Sequence, residues 1–419
     1  MKSLLLKKAK IQDPSSPFHL QTQDILIENG KISRIQSEIS KPEHCEILEL
    51  DNLHVSQGWF DASVSFGEPG LEERETLIHG CDVASKSGFT DIALNLDTNP
   101  CGDEQSTLSF VQNITLSSSC KVWPIANLTT KGEGLHLAEL FDLKNAGAIA
   151  FGDYNHAISD DLLMKISLQY AQNFDGLIMS FPENKRIAGT GLVNESPQSM
   201  QLGLKSNPIL AETLQISRDL FLLEYTGGKL HIPCISSAKS LKLISQAKAN
   251  GLDVSCSVSV HHLVLNDHEL FDFDSNTKVK PPLRTEEDRL ALIQGLKDGL
   301  IDFIVSDHRP IDIEEKKVAY NQAEYGTIGL ESAFSALQNV LDLDLILEKL
   351  TVAPRNRFKL ESYKIDLDQP AKLSLFDPNP SFTFENKDIL STSKNSIFKG
   401  KQLKGKVYGS INQGKIVLK

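Results

Sequence analysis

This 419-residue sequence lacks several features that would place it in a specialised class of protein. No apolar run approaches the roughly 20 residues that a membrane-spanning helix needs, and no block of like charges resembles an interaction tail. The six cysteines are widely scattered without a Cys-x-x-Cys pair, which favours reduced thiols over a disulfide framework or a structural zinc site. Basic residues are not in excess, because the net charge is −12. These absences predict a cytoplasmic protein with neither a nucleic-acid nor a membrane partner.

The length and composition are those of an ordinary globular protein. Hydrophobic residues make up 40% of the chain and charged residues 23%, as in most soluble domains. A chain of this length accommodates one large α/β domain together with a smaller one. The apolar run within Met1–Lys8 is too short for a signal peptide, and we interpret this segment as an edge strand.

Both ends of the chain have the character of β-structure. Two apolar runs within Ile25–Ile32 are joined by Asn-Gly, which is a strong hairpin signal. Near the other end, Ala371–Phe376 is a predicted strand, and Val407–Leu418 resembles a second hairpin. We therefore predict that residues 1–56 and 366–419 together form one small β domain.

The middle of the chain alternates between helical and strand patterns. Apolar residues recur at helical spacing over Leu71–Lys86, and Gly88 then provides a helix end. A buried strand is predicted next, at Phe89–Leu96. Repeated strand–helix units across residues 57–365 predict a (β/α)8 barrel, so the fold class is α/β with a TIM-like barrel and a small β-sandwich domain. The further predicted helices are Pro208–Tyr225, Ala238–Ala249 and Thr285–Lys297, and the further predicted strands are Lys229–Ile232, Leu252–Val260 and Leu300–Val305.

Chemistry in such barrels sits where the strands end and the loops begin. The candidate positions are therefore the predicted strand ends. These are Asp61–Ser65, Leu96–Asp97, Gly152–Tyr154, Ser180–Phe181, Pro233–Cys234, Val260–His262 and Ser306–His308.

The segment Gly58–Gly70 resembles the signature of the dihydroorotases, a branch of the cyclic amidohydrolases. Its flanks match that signature, including Asp61 and the closing Glu-Pro-Gly. The resemblance implies two metal-binding histidines, which fall on Ser63 and Ser65, and a substrate-binding arginine, which falls on Gly67. Residues i and i+2 of a strand face the same side, so both serines point where the histidines would. Hydroxyl groups are poor zinc ligands.

The resemblance extends over nearly the whole chain and implies four further metal-ligand positions. The acidic residue expected after the Phe-Gly-Asp strand end falls on Tyr154. Two more ligand histidines fall on Phe181 and Cys234. Of the six positions, Asp307 alone keeps the ligand type that the family implies. The family uses zinc, but with five of about six ligands lost we expect no cofactor and no catalytic residue in this chain.

Positions that the resemblance assigns to the substrate are also changed. They are Gly67, Asp97, Lys280 and Ile311. Other short sequence motifs of the family are present, such as Pro281–Arg284. These motifs favour a resemblance to dihydroorotase over hydantoinase.

Two chemical alternatives remain open. Cys234 could be a nucleophile within a set formed by His231, His261, His262, Asp307 and His308. The other possibility is a mononuclear metal site built from Cys234, Asp307 and His308. The simpler interpretation treats Cys234 as a small buried residue that fills the place of a histidine.

Structural interpretations compete for the other residues. Asp307 is expected to be a structural acid, held by neighbouring backbone or by Arg284 or Lys280. Lys280 is also a candidate to pair with Asp97 across the former pocket. Tyr154 and Phe181 are expected to pack into the space that ligands and metals would take. We interpret the basic segment Arg355–Arg357 as a solvated face.

These observations predict a dihydroorotase-like protein of pyrimidine biosynthesis that has lost catalysis. The resemblance implies a structural or regulatory role, with aspartate carbamoyltransferase or an active dihydroorotase as the partner. A homo-oligomer is also expected, as in the ligand-poor relatives called collapsin response mediator proteins. The alternative is a hydrolase of cyclic amides with an altered or mononuclear metal site.

Overall fold

The computed structural model describes residues 3–419 of the chain, which form two large sheets and a set of surrounding helices. The strands are β1 (Leu4–Ile11), β2 (Thr22–Glu28), β3 (Lys31–Gln36), β4 (Glu46–Leu48), β5 (His54–Gln57), β6 (Trp59–Ser65), β7 (Phe89–Asn95), β8 (Lys121–Ala126), β9 (Ala150–Phe151), β10 (Ile178–Met179), β11 (Val193–Asn194), β12 (Ser206–Asn207), β13 (Leu230–Ile232), β14 (Val254–Ser259), β15 (Phe303–Val305), β16 (Leu373–Thr383), β17 (Gln402–Asn412) and β18 (Lys415–Leu418).

Most of the helices lie between the barrel strands. They are α1 (Leu77–Lys86), α2 (Gln105–Thr115), α3 (Leu140–Asn145), α4 (Asp161–Ala171), α5 (Lys185–Ala188), α6 (Pro197–Leu202), α7 (Ile209–Thr226), α8 (Ala238–Ala249), α9 (Val260–Val264), α10 (Glu286–Lys297), α11 (Ile313–Lys316), α12 (Ala333–Leu337), α13 (Leu343–Leu350) and α14 (Val352–Arg357). None of the helices in the described range 3–419 is long and apolar enough to cross a membrane.

Eight parallel strands form the predicted barrel. They follow the order β6-β7-β8-β9-β10-β13-β14-β15. The circle closes where Val64 of β6 pairs in parallel with His308, just beyond β15, and the amide of Ser65 donates to the carbonyl of His308 at 2.8 Å. Asp61 strengthens this closure, because its buried carboxylate accepts hydrogen bonds from the amides of Ser63 and Ser306 at 3.2 and 3.1 Å. The fold class predicted from the sequence is confirmed.

The second large sheet comes from both ends of the sequence, as predicted. Its order is β18-β17-β16-β5-β1-β2-β3, and β4 also pairs with β1. Asn29 and Gly30 connect β2 to β3 with left-handed backbones, as an Asn-Gly hairpin turn requires. The prediction of an edge strand at the start of the chain is wrong. The strand exists as β1, but it lies inside the sheet because β2, β4 and β5 all pair with it.

Local sequence signals place several helices accurately. The helix α8 has the predicted bounds, and the hydroxyl of Thr285 caps α10 by accepting from the amide of Asp288. The helix α1 begins later than predicted, at Leu77 rather than Leu71. The preceding residues instead form a turn in which the amide of Gly67 donates to the carbonyl of Glu75 at 3.0 Å.

A buried ionic cluster connects the barrel to the second sheet. The carboxylate of Asp91, at the start of β7, accepts from Arg355 of α14 and from Lys372, the residue before β16, at 2.8 Å each. Arg355 also donates to the carbonyls of Thr351 and Gly58. The interpretation of this basic segment as a solvated face is therefore wrong for Arg355. The tertiary fold supplies a buried carboxylate partner that no local pattern reveals.

Charge pairing offsets the desolvation of this cluster. Burial favours the neutral form of Asp91, but Lys372 and Arg355 hold the pKa of its carboxyl below the ordinary value. Removing one partner from a buried ion pair leaves an uncompensated charge, which typically costs about 3–5 kcal/mol. The cluster is therefore a restraint on how the two sheets fit together.

We expect Arg355→Met to lower the free energy of unfolding by about 3 kcal/mol, because Asp91 would keep Lys372 but lose its second cation. Urea denaturation of the purified chain measures this loss. The matched control is Arg357→Met, from the same helix, whose partner Asp253 is exposed, so that a loss of about 1 kcal/mol or less is expected. Equal losses in the two variants would contradict a special role for the buried cluster.

Candidate functional site

The carboxyl ends of the barrel strands converge on one small cavity. Its lining residues come from β6 through β10, β13 and β15 or from the residues that directly follow them, as the barrel geometry requires. Five of the six predicted metal-ligand positions contribute to the lining, namely Ser63, Tyr154, Phe181, Cys234 and Asp307. The cavity volume open to the centre of a water molecule is about 10 Å³. That is about enough for one water molecule. Of the seven predicted strand ends, five contribute to this lining, and Leu96–Asp97 and Val260–His262 do not.

Asp307 is the centre of the hydrogen bonding in this cavity. The hydroxyl of Tyr154 donates to its carboxylate at 3.1 Å, and the hydroxyl of Ser63 donates to the same oxygen at 3.4 Å. Ser63 in turn accepts from the amide side chain of Asn95 at 3.1 Å. Burial raises the pKa of Asp307 to about 6, although these donors favour its charged form.

The predicted partners of Asp307 are therefore wrong. Lys280 instead pairs with Glu183 at 2.8 Å, and its ammonium lies 5.3 Å from the centre of the Phe181 ring. Arg284 donates to the side chains of Ser236 and Asn194 and to the carbonyl of Asn207. Both cations are therefore engaged by groups other than Asp307.

A second polar group occupies the rim of the cavity. The hydroxyl of Ser65 donates to the carboxylate of Asp97 at 2.6 Å, and Arg309 pairs with the other oxygen of Asp97 at 3.4 Å. The predicted pairing of Lys280 with Asp97 is wrong, because Arg309 takes that place. The guanidinium of Arg309 also lies 5.8 Å from the centre of the Tyr154 ring and so connects the rim to the cavity.

Three of the lining residues have a left-handed backbone. The φ angles of Tyr154, Cys234 and Asp307 are 48°, 51° and 50°. Such conformations cost roughly 1–3 kcal/mol for residues other than glycine and cluster at functional sites. The backbone is therefore in an energetically unfavourable conformation at three of the six candidate metal-ligand positions.

Two further predicted positions lie away from the cavity lining. A Cβ atom at Gly67 would lie 1.7 Å from the carbonyl oxygen of Leu71, so any larger residue there would displace the loop. Ile311 is buried, its amide donates to the side chain of Asn395 at 3.2 Å, and it lines a separate groove. Neither position faces the cavity with a polar group.

Two histidines near the cavity, His231 and His308, bond to groups outside the predicted set. Both ring nitrogens of His231 bond to hydroxyls, those of Ser255 and Ser257, at 2.8 and 3.1 Å. The Nδ1 atom of His308 accepts from the amides of Gly329 and Leu330. Burial also raises the pKa of the Cys234 thiol well above its ordinary value, which disfavours the reactive thiolate.

His262 bonds to Ser259 and to the carbonyl of Pro282, while His261 is buried beside it with a ring-to-ring distance of 4.7 Å. The predicted cysteine–histidine–aspartate set is therefore not assembled as a hydrogen-bonded chain. Within residues 3–419, no group of three or more His, Cys, Asp or Glu side chains is arranged to hold a metal ion.

Reasoning from the sequence missed three residues that shape the mouth. Arg309 stands two positions after Asp307, and this spacing was the available signal for its role. Asn95 ends β7 and faces Ser63, as an alternation count along that strand indicates. Glu183 gave no local signal, because its contact with Lys280 joins loops that are far apart in sequence.

Solved structures share this barrel with its added sheet. The chain is similar to L-hydantoinase (dihydropyrimidinase) from Arthrobacter aurescens, with 21% identity and a TM-score of 0.85 over 100% of this chain and 96% of that one. It is also similar to D-hydantoinase from a Thermus species, with 19% identity and a TM-score of 0.80 over 99% and 95% of the two chains. At these identities the likeness establishes the fold.

Sequence comparison gives the family. A family model described as dihydro-orotase-like matches residues 54–240. Dihydroorotase from Syntrophus aciditrophicus is 35% identical over 99% of both chains, and dihydroorotase from Aquifex aeolicus is 35% identical over the full length of both. The chain belongs to the dihydroorotase family.

The buried carboxyl of Asp307 predicts a measurable dependence of stability on pH. The folded chain holds this proton up to a pKa of about 6, whereas the ordinary value is 3.8, so wild-type stability falls as pH rises between these values. We expect Asp307→Asn, which does not titrate, to gain up to about 3 kcal/mol on the wild type between pH 4 and pH 7. Urea unfolding of both proteins across this range measures the difference.

Tyr154→Phe provides the control for this experiment. It keeps the carboxyl group but removes a donor that favours the charged form, so the pH-dependent loss should persist or increase. A difference between the wild type and Asp307→Asn that does not change with pH would show that Asp307 is not protonated in this way.

Proposed function

We propose that this dihydroorotase-family chain does not hydrolyse cyclic amides by the two-metal route and serves as a structural or regulatory partner of aspartate carbamoyltransferase. The single observation that carries this proposal is the donor set at the barrel mouth. The side chains there are two hydroxyls, a phenol, a phenyl ring, a thiol and one buried carboxyl, at Ser63, Ser65, Tyr154, Phe181, Cys234 and Asp307.

These groups fit zinc poorly. Zinc prefers imidazole, thiolate and carboxylate ligands, and a two-metal site acts by generating hydroxide and polarising the substrate carbonyl. The thiol of Cys234 is held neutral by burial. The carboxyl of Asp307 is already engaged by Tyr154 and Ser63. No step of hydrolysis is therefore assigned to these side chains.

Steric features of the mouth support the same proposal. Tyr154 and Phe181 occupy positions where the family resemblance implies metal ligands. The cavity volume that remains open to the centre of a water molecule is about 10 Å³. An arginine at position 67 would collide with the Leu71 carbonyl. Restoring the family residues would thus require the loop 67–75 to move as well as the side chains to change.

The second candidate function is hydrolysis of cyclic amides through an altered or mononuclear metal site. The observation that favours it is the full-length likeness to relatives named dihydroorotase, at 35% identity for the one from Aquifex aeolicus. It would use Cys234, Asp307 and His308 as ligands, with Cys234 and Asp307 in their deprotonated forms. Metal binding separates this candidate from the first.

We expect protein grown in zinc-supplemented medium to contain less than about 0.1 equivalent of zinc and to show no dihydroorotase activity, because the mouth offers too few ligands. Elemental mass spectrometry and a ring-hydrolysis assay measure these two quantities. One or two equivalents that disappear in Asp307→Asn would reject the proposal and favour the mononuclear site.

We expect the full chain to form a stable complex with the aspartate carbamoyltransferase of the same organism and to change its activity. Co-purification and a carbamoyltransferase assay test this. Asp307→Asn should bind equally well, since the mouth chemistry plays no part in such a role. The proposed partnership would be abandoned if the two proteins neither associated nor affected each other's activity.

A further inference from the structure

A polar groove lies where the second large sheet meets the outer helices of the barrel. Its walls come from both parts of the molecule, namely from β1, β5, β16 and β17 of the sheet and from α10, α13 and residues 338–342 beside the barrel. The volume of the groove is about 600 Å³, within the range of about 300–1,000 Å³ that is typical of small-molecule sites. The cavity at the barrel mouth is lined by other residues. We call this second site the junction groove.

Three lysines from distant parts of the sequence line the junction groove. Lys10 lies on β1, Lys297 ends α10, and Lys404 lies on β17. Within residues 3–419, every lysine ion pair involves other lysines. Asp342 is the one acidic residue among the described lining residues. The groove is thus locally positive on a chain whose net charge is −12, and it favours an anionic ligand at this place.

Carboxamide side chains make up much of the remaining lining. They are Gln12, Asn52, Gln338, Asn339 and Asn379. A carboxamide offers both donors and an acceptor, so it can bond to a hydroxyl group in either sense. The Oε1 atom of Gln12 and the Nε2 atom of Gln338 have no hydrogen-bond partner within residues 3–419, which is uncommon for buried polar atoms. This lining favours a ligand that carries several hydroxyl groups.

His54 adds a further acceptor to the lining. The residue is 5% exposed, and its Nδ1 atom donates to the carbonyl of Asn52 at 2.9 Å. Because a carbonyl oxygen only accepts, Nδ1 carries the proton, and Nε2 keeps its lone pair in the neutral ring. Burial lowers the pKa of His54, which keeps the ring neutral at pH 7. The ring therefore suits a hydroxyl group of the ligand better than a phosphate oxygen.

The lining also indicates which phosphorylated compounds fit poorly. Among the described lining residues there is no phenylalanine, tyrosine or tryptophan. Proteins commonly hold nucleobases by stacking them on such rings. The junction groove has cations for a phosphate group and polar side chains for hydroxyl groups, but it has no aromatic surface for a base. It therefore fits a sugar phosphate better than a nucleotide.

We propose that the junction groove binds a sugar phosphate, with the lysines holding the phosphate group and with His54 and the carboxamides holding the sugar hydroxyls. The ligand connects the sheet to the outer helices, because the walls of the groove belong to both. This inference does not depend on whether the barrel mouth is catalytic or on the carbamoyltransferase partnership.

Calorimetric titration of the full-length chain with ribose 5-phosphate gives the first test. In about 0.1 M salt we expect saturable binding with a Kd below about 1 mM, as is usual for metabolites. The variant Lys10→Gln/Lys297→Gln/Lys404→Gln should bind at least about tenfold more weakly, with an unchanged circular dichroism spectrum. A wild type without saturable binding would overturn the proposal, and so would a triple variant that binds as tightly as the wild type.

The matched control removes three lysines from other surfaces. Lys185 begins α5, and Lys239 and Lys242 lie on α8, where all three are exposed. The variant Lys185→Gln/Lys239→Gln/Lys242→Gln has the same net charge as the first variant but should bind ribose 5-phosphate like the wild type. An equal loss of affinity in the two triple variants would show a response to net charge alone and would reject the junction groove as the site.

A comparison of ligands tests the chemical class. Ribose 5-phosphate should bind about tenfold more tightly than inorganic phosphate, because its hydroxyl groups form additional hydrogen bonds. Ribose, which has no phosphate group, should not bind at the same concentrations. Equal affinities for ribose 5-phosphate and inorganic phosphate would reject a sugar phosphate as the ligand. Tighter binding of AMP than of ribose 5-phosphate would reject the preference for a ligand without a base.

Discussion

The closure of the barrel at Asp61 is the constraint on which the candidate site depends. Its buried carboxyl accepts the amides of Ser63 and Ser306 and so fixes the first barrel strand against the last. Burial raises the pKa of this carboxyl to about 7, which indicates how completely it is removed from water. Ser63 and Asp307, which come from opposite ends of the barrel sequence, lie within 3.4 Å of each other as a consequence.

The mouth of the barrel combines left-handed backbone at three positions with side chains that bond to one another. Tyr154, Cys234 and Asp307 keep left-handed backbones, a costly feature that persists only where the surrounding structure enforces it. Side chains near these positions bond to each other, Tyr154 to Asp307 and Ser65 to Asp97. Stability and catalysis place opposite demands on such groups, because catalytic side chains must leave bonding capacity for a substrate.

Prediction from the sequence succeeded where the signal is local or periodic. The bounds of α8, the Asn-Gly hairpin and the alternating strands and helices all follow from short-range rules. The same pattern indicated five of the strand ends that line the cavity. Pairings between distant charges could not be predicted in this way. Lys280 pairs with Glu183 and not with Asp97. Such pairings depend on the paths of the loops, which the periodic pattern of apolar residues does not specify.

By itself, the sequence determined the class of fold, the family and the chemical types of the side chains at the mouth. These properties follow from the identity and spacing of the residues. The order of strands and helices that the spacing predicts is enough to define the class of fold. The tertiary structure alone decided that Arg355 is buried against Asp91, that Arg309 rather than Lys280 reaches Asp97, and that position 67 has no room for a side chain. The physical reason is that burial and ion pairing are set by which distant segments the closed barrel brings into contact.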